Sequence, residues 1–155
     1  MLLEQVRNLL SEVQYPLEFN PAEWKDNLDA NCYEYALGLK IDEGYLIGDF
    51  IGKRVTKNDS IAKHLEVLLE ELDALGFFVV ECDTTDLTEE NTFKIYIEWN
   101  EENEYHFLRQ DLDFRWSQKA QGLFPTDRDE NGFFIMDPEM NSKSVLGKCF
   151  ILTRF

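Results

Sequence analysis

The apolar pattern of this chain changes its period once, at Gly76, and that change limits the fold more than any other feature. Before it, "SIAKHLEVLLEELDALG" (60–76) places Ile61, Leu65, Leu68, Leu69, Leu72 and Leu75 at helical spacing. Asp59 or Ser60 can cap that helix, and Gly76 can end it. His64 lies beside the stripe and reads as a surface or boundary residue. The amino end, "MLLEQVRNLLSEVQYP", has apolar residues at 2, 3, 6, 9, 10 and 13, again helical spacing. Beyond Gly76 the period shortens to that of strands: "FFVVE", "FKIYIEW", "EYHFLRQ", "FRWSQK", "GFFIMD" and "GKCFILTRF", separated by turns rich in Asp and Asn. Helices followed by a run of strands predict an α+β domain, with helices packed on a mostly antiparallel sheet.

A chain of 155 residues suits one domain with its own core. Its 31 acidic against 15 basic residues give a formal charge of −16, so the average surface repels nucleic acid and anionic lipid, and neither is expected as a partner. The 12 Phe, 6 Tyr and 3 Trp argue against disorder despite that charge. The amino end has no basic leader, continuous apolar run or small-residue cleavage site, and no segment has the roughly 18 to 20 apolar residues a membrane span requires. The expectation is a cytoplasmic protein, with export by a signal-free route as the alternative. The acidic run "DTTDLTEEN" lacks calcium-ligand spacing and reads as a solvated loop. Gly44, Gly48 and Gly52 lack the context of a phosphate site and read as loop glycines.

Cys32, Cys82 and Cys149 form neither a CxxC pair nor a zinc pattern, which fits reduced thiols and calls for no metal or cofactor. Cys82 and Cys149 lie in apolar strand patterns and read as structural. Cys32, in "NCYEYALG", stands one residue into a short helix that Asn31 or Asp29 could cap and Gly38 could stop. A helix start favours the thiolate, the reactive form of cysteine. The same position also suits a buried core thiol, and the residues alone leave both readings open.

His106, in "NEYHFLRQD", is the one histidine on a strand pattern. If "DLD" (111–113) forms the hairpin loop, Gln110 pairs with Phe114 and His106 lies opposite Gln118, on the same face. A two-residue loop would bring Lys119 there instead. In the first register a glutamine amide can orient the imidazole, leaving the other ring nitrogen for a thiol. Gln118 also reads as a surface residue on a hairpin.

"NCYEYALG", "HFLRQD", "WSQKAQG", "DENGFFIMDP" and the closing "GKCFILTRF" together resemble a group of small bacterial papain-like cysteine peptidases related to the NlpC type. The resemblance covers roughly residues 24–155. It implies a papain-like/NlpC-type core with a cysteine on a helix, a histidine at the start of a strand and a third polar residue on the next strand. By position these are Cys32, His106 and Gln118, where relatives often carry histidine at the third place. It divides the single domain into an N-terminal helix and linker (1–23) and a catalytic core (24–155).

The Cys32 backbone N–H is a candidate oxyanion donor, with the Asn27 or Asn31 side chain as the second; for Asn31 the helix cap is the favoured reading. Asp137 could support the site or simply form a turn before Pro138. Trp24, Trp116, Tyr33 and Tyr35 line a cleft or pack the core; Arg109 and Lys119 meet a substrate carboxylate or neutralise local acid. The expected function is a cysteine peptidase or amidase acting on a peptide or another amide substrate. The alternatives are deamidation or transamidation of glutamine, and a catalytically silent acidic protein that binds a basic partner.

Overall fold

A computed structural model describes residues 2–141 and 146–154. In chain order the helices are α1 (Leu2–Ser11), α2 (Cys32–Ala36), α3 (Ile61–Ala74) and α4 (Pro138–Asn141), with single 3-10 turns at Pro21–Trp24 and Asp49–Ile51. The strands are β1 (Phe77–Cys82), β2 (Thr92–Trp99), β3 (Tyr105–Gln110), β4 (Trp116–Ser117) and β5 (Leu146–Arg154). They form one sheet in the order β1-β5-β2-β3-β4, each neighbouring pair antiparallel. The α+β class expected from the change of period is therefore present. Phe155, the last residue of the expected final strand, lies outside the described residues.

Strand β5 enters between β1 and β2, which makes β2 central and buries it on both faces. On one face Phe93, Ile95, Ile97, Phe107 and Leu152 join Val6 and Leu10 of α1 and Val67, Leu68 and Leu72 of α3 in the main apolar cluster. On the other, Tyr96, Leu108, Trp116, Ile135 and Cys149 form a smaller one. Among the described residues no helix is long and apolar enough to cross a membrane.

Two expected strands change. "GFFIMD" makes only isolated bridges, because Asp129 N–H donates to Phe133 O and Ile135 N–H to Asp127 O, folding 127–135 back on itself. "FRWSQK" shrinks to the two residues of β4, after which Gln118 bridges Thr126.

Helix α3 starts where expected, with Ser60 Oγ accepting from Lys63 N–H. Its buried face is rotated from the leucine stripe: His64 and Glu71 are fully buried, whereas Leu69 is 40% exposed. Both polar residues have partners, and that makes the rotation affordable without orphaned groups. Trp99 Nε1–H can only donate, and it does so to His64 Nδ1 at 2.8 Å; Nε2–H then donates to Thr56 O at 2.7 Å. His64, expected at the surface or boundary, is thus a core residue with both ring nitrogens hydrogen-bonded. Glu71 accepts from Tyr33 OH (2.5 Å), Gly48 N–H (3.0 Å) and Phe50 N–H (2.9 Å). Burial raises its carboxyl above the usual range against the pull of these three donors.

Removing that carboxylate leaves two buried N–H groups unpaired. Glu71→Ala should lower unfolding free energy by roughly 3–5 kcal/mol in urea titration, from three lost hydrogen bonds and the exposed desolvation cost. A loss below about 1 kcal/mol would show that this carboxylate does not organise the fold.

Candidate active site

Helix α2 has five residues, too few to persist alone, and is built from caps and packing. Asn31 Oδ1 accepts from Glu34 N–H while Glu34 Oε1 accepts from Asn31 N–H, each at 2.9 Å, a reciprocal capping box. The Tyr33 ring stacks on Phe107 of β3 with centroids 4.9 Å apart. Tyr35 lies under the Arg109 guanidinium, 3.9 Å from it, and its hydroxyl is 2.6 Å from Ser117 Oγ of β4. These contacts seat the amino end of α2 on β3. Cys32 is the first helical residue and is half-buried.

His106 lies on β3, one residue before Phe107, next to Cys32, whose sulfur acts on the ring. Its Nε2–H donates to Gln118 Oε1 at 2.7 Å, and Gln118 Nε2 donates to Arg128 O at 3.3 Å. The Arg128 carbonyl cannot donate, so it fixes which way the amide faces and places the proton on Nε2. Nδ1 is the nitrogen left for sulfur. Glu98 of β2 is the direct cross-strand partner of His106. Burial pulls the imidazole toward its neutral form, but Cys32, then Gln118 and Glu98, outweigh it and raise the pKa to about 9.

Gln118 arrives by a different register from the expected one. Gln110 pairs with Trp116 and Arg109 with Ser117, not Gln110 with Phe114. The turn is longer than "DLD": Asp111 N–H donates to Arg115 O, and Phe114 takes a left-handed φ of 69°. The shift is by two residues, which preserves the face each side chain occupies, so Gln118 still reaches the ring along a diagonal.

The remaining candidates are placed as follows. Asn31 caps α2, and its Nδ2 donates to Tyr45 O at 2.8 Å. Asn27 Nδ2 donates to Asp42 Oδ1 (3.2 Å) and Lys40 O (3.4 Å). Asp137 accepts from Thr84 Oγ1 and from Glu139 N–H at the start of α4. Trp24, Trp116, Tyr33 and Tyr35 are all buried. Arg109 is buried against Asp111 at 2.8 Å, and Lys119 donates to the Leu28 and Ala30 carbonyls, so neither cation is presented to a substrate. The Cys32 N–H, at the first helical position, has no intrahelical acceptor.

A groove of about 390 Å3 opens beside Cys32, walled by Leu46, Val55, Thr56, Lys57 and Tyr105. The groove wall and Glu98 are the parts the sequence reading missed. Counting the register of β2 against β3 could have found Glu98; no local signal marks the wall. Among the described residues no group of His, Cys, Asp or Glu is arranged to hold a metal. Comparison of the chain with family models, curated proteins and solved structures finds no match.

Because His106 is raised from about 6.5 in an unfolded chain to about 9, its contribution to stability is fully present below pH 6.5 and is lost as pH rises through 9. By NMR titration His106 should show a pKa near 9, falling to about 6.5 or below in Cys32→Ala, where burial dominates. An unchanged titration in that variant would show that the sulfur does not hold the proton on the ring.

Proposed function

We propose that the protein is a papain-like thiol hydrolase that cleaves an amide bond, with Cys32 as nucleophile, His106 as general acid and base, and Gln118 as the residue that orients the imidazole. The observation that carries this reading is the His106 imidazole set beside Cys32, with its Nε2 held by the pinned Gln118 amide. The groove beside Cys32 supports it, since a nucleophile requires access as well as activation.

In the first step the Cys32 sulfur adds to the substrate carbonyl carbon, and the developing oxyanion meets the Cys32 N–H. The His106 imidazolium gives its Nδ1 proton to the departing amine, the C–N bond breaks, and a thioester remains on Cys32. Neutral His106 then takes a proton from water, whose oxygen adds to the thioester carbon. Collapse of that adduct breaks the C–S bond, releases the carboxylic acid and returns the proton to the Cys32–His106 pair. Gln118 stays neutral throughout and works by holding Nε2–H, so that Nδ1 always faces sulfur.

The groove surface is largely apolar, with Arg54, Lys57 and Glu104 among its lining residues, which favours an amide flanked by apolar groups. A panel of short peptide amides and glutamine-containing peptides tests the reading. Turnover should need both Cys32 and His106, with an acyl adduct on Cys32 seen by intact mass. The imidazolium is the proton donor to the amine, so kcat/KM should fall as pH rises through about 9. Gln118→Ala should lose roughly 10- to 100-fold in kcat, less than His106→Ala. Turnover unaffected by Cys32→Ala would overturn the proposal.

A further inference from the structure

The other two thiols meet on the far side of the sheet. Cys82 ends β1, Cys149 lies opposite it in register on β5, and their sulfurs are 3.0 Å apart. Both are free thiols. Directly opposed antiparallel residues have Cα atoms about 4.5–5.5 Å apart, within the roughly 4.4–6.8 Å that a disulfide spans. Bond formation therefore asks for a small approach of the sulfurs and leaves the ladder in place.

The two sulfurs are not equivalent. Cys149 is 2% exposed, whereas Cys82 is only half-buried and can be reached from solvent. Lys94 of β2 is buried on the same side, where its ammonium donates to the neutral Thr84 carbonyl at 2.7 Å. The hydrogen bond with Cys149, then the Lys94 charge, lower the Cys82 pKa against burial and against Asp86 and Asp83. Cys149 moves the other way: the bond to Cys82 and burial hold its proton in place. One sulfur is thus suited to attack and the other to resolve.

We propose that Cys82 and Cys149 are a reversible dithiol–disulfide pair, oxidised by a small-molecule disulfide, which staples the edge strand β1 to β5. The Cys82 thiolate attacks one sulfur of the external disulfide, forming a mixed disulfide and expelling one thiolate. Cys149 loses its proton and attacks the Cys82 sulfur, expelling the second thiolate and closing the protein disulfide. The two protein thiols lose two electrons; the external disulfide gains them and leaves as two thiols. The bridge joins positions 67 residues apart, so it constrains a long loop of the unfolded chain. None of this depends on the amide chemistry at Cys32.

The test uses the full chain incubated with oxidised glutathione, followed by intact mass and non-reducing peptide mapping. Expected are a linked Cys82–Cys149 peptide two hydrogen atoms lighter than its two reduced parts, with any glutathione on Cys32 mapped separately, and a rise in Tm of roughly 5–10 °C reversed by dithiothreitol. Cys149→Ser should instead hold one glutathione on Cys82, and Cys82→Ser should leave Cys149 unmodified. Wild-type protein in which both thiols still alkylate, or in which Cys82 keeps glutathione without closing, would overturn the proposal, as would attack by Cys149 first. Mapping on the wild type decides the matter even if a serine variant fails to fold.

Discussion

Tyr33 is the contact on which the rest of the site depends. It follows Cys32 in the chain, as Phe107 follows His106, and the rings of these two followers stack. Aromatic stacking of this kind is worth about 0.5–1.5 kcal/mol beyond the area it buries. Its larger effect here is geometric: fixing the two followers brings the two preceding residues together. The Tyr33 hydroxyl continues to Glu71 of α3, and the same carboxylate takes the N–H groups of Gly48 and Phe50. One buried acid therefore positions both the helix that carries the sulfur and the loop that leads into the groove wall. Gly48 has no substitute in that loop: its φ is +93°, and an added Cβ would lie 2.1 Å from Lys53 O.

The electrostatics follow from the same economy of buried charge. The chain carries −16 overall, yet Arg109, Lys94 and Lys119 are all buried. Each is met by carbonyls or by a carboxylate: Arg109 by Asp111, Tyr35 O and Glu18 O, the lysines by backbone oxygens. Desolvation makes such groups costly unless they are fully bonded, so they serve to fix the paths of irregular segments more than to add stability. Asp111 illustrates the balance. Burial raises its carboxyl to about 6 although Arg109 lies beside it, and its Oδ2 has no partner among the described residues. At His106 the balance tips the other way, because the sulfur, the Gln118 amide and Glu98 act together on one ring.

Much of this was legible in the sequence where a local pattern forces a local outcome. The stripe in α3, its Ser60 cap, the Asn31 cap of α2 and the alternation in β2 and β3 all have a period or a spacing that few alternatives satisfy. Three features had no such signal. The insertion of β5 between β1 and β2 is a long-range pairing, which alternation alone does not order. The rotation of α3 depends on partners for His64 and Glu71 that come from Trp99, Tyr33 and the loop after Gly48, and polar residues beside a leucine stripe look solvent-facing until those partners are known. The hairpin register was misjudged because Phe114 adopts a left-handed conformation uncommon for an aromatic residue. The juxtaposition of His106 and Gln118 survived that error because side-chain facing repeats every two residues. Cys82 and Cys149 each look like an ordinary strand cysteine, and only the β1–β5 pairing brings them into contact.

On this account, packing of α2 on β3 sets the His106 ring beside the Cys32 sulfur so that the ring activates it. The most direct measurement is the rate at which iodoacetamide alkylates Cys32 between pH 5 and 9, read by peptide mapping in the wild type and in His106→Ala. A sulfur activated by the ring is expected to alkylate about tenfold or more faster in the wild type than in His106→Ala. Equal rates in the two proteins would contradict the claim.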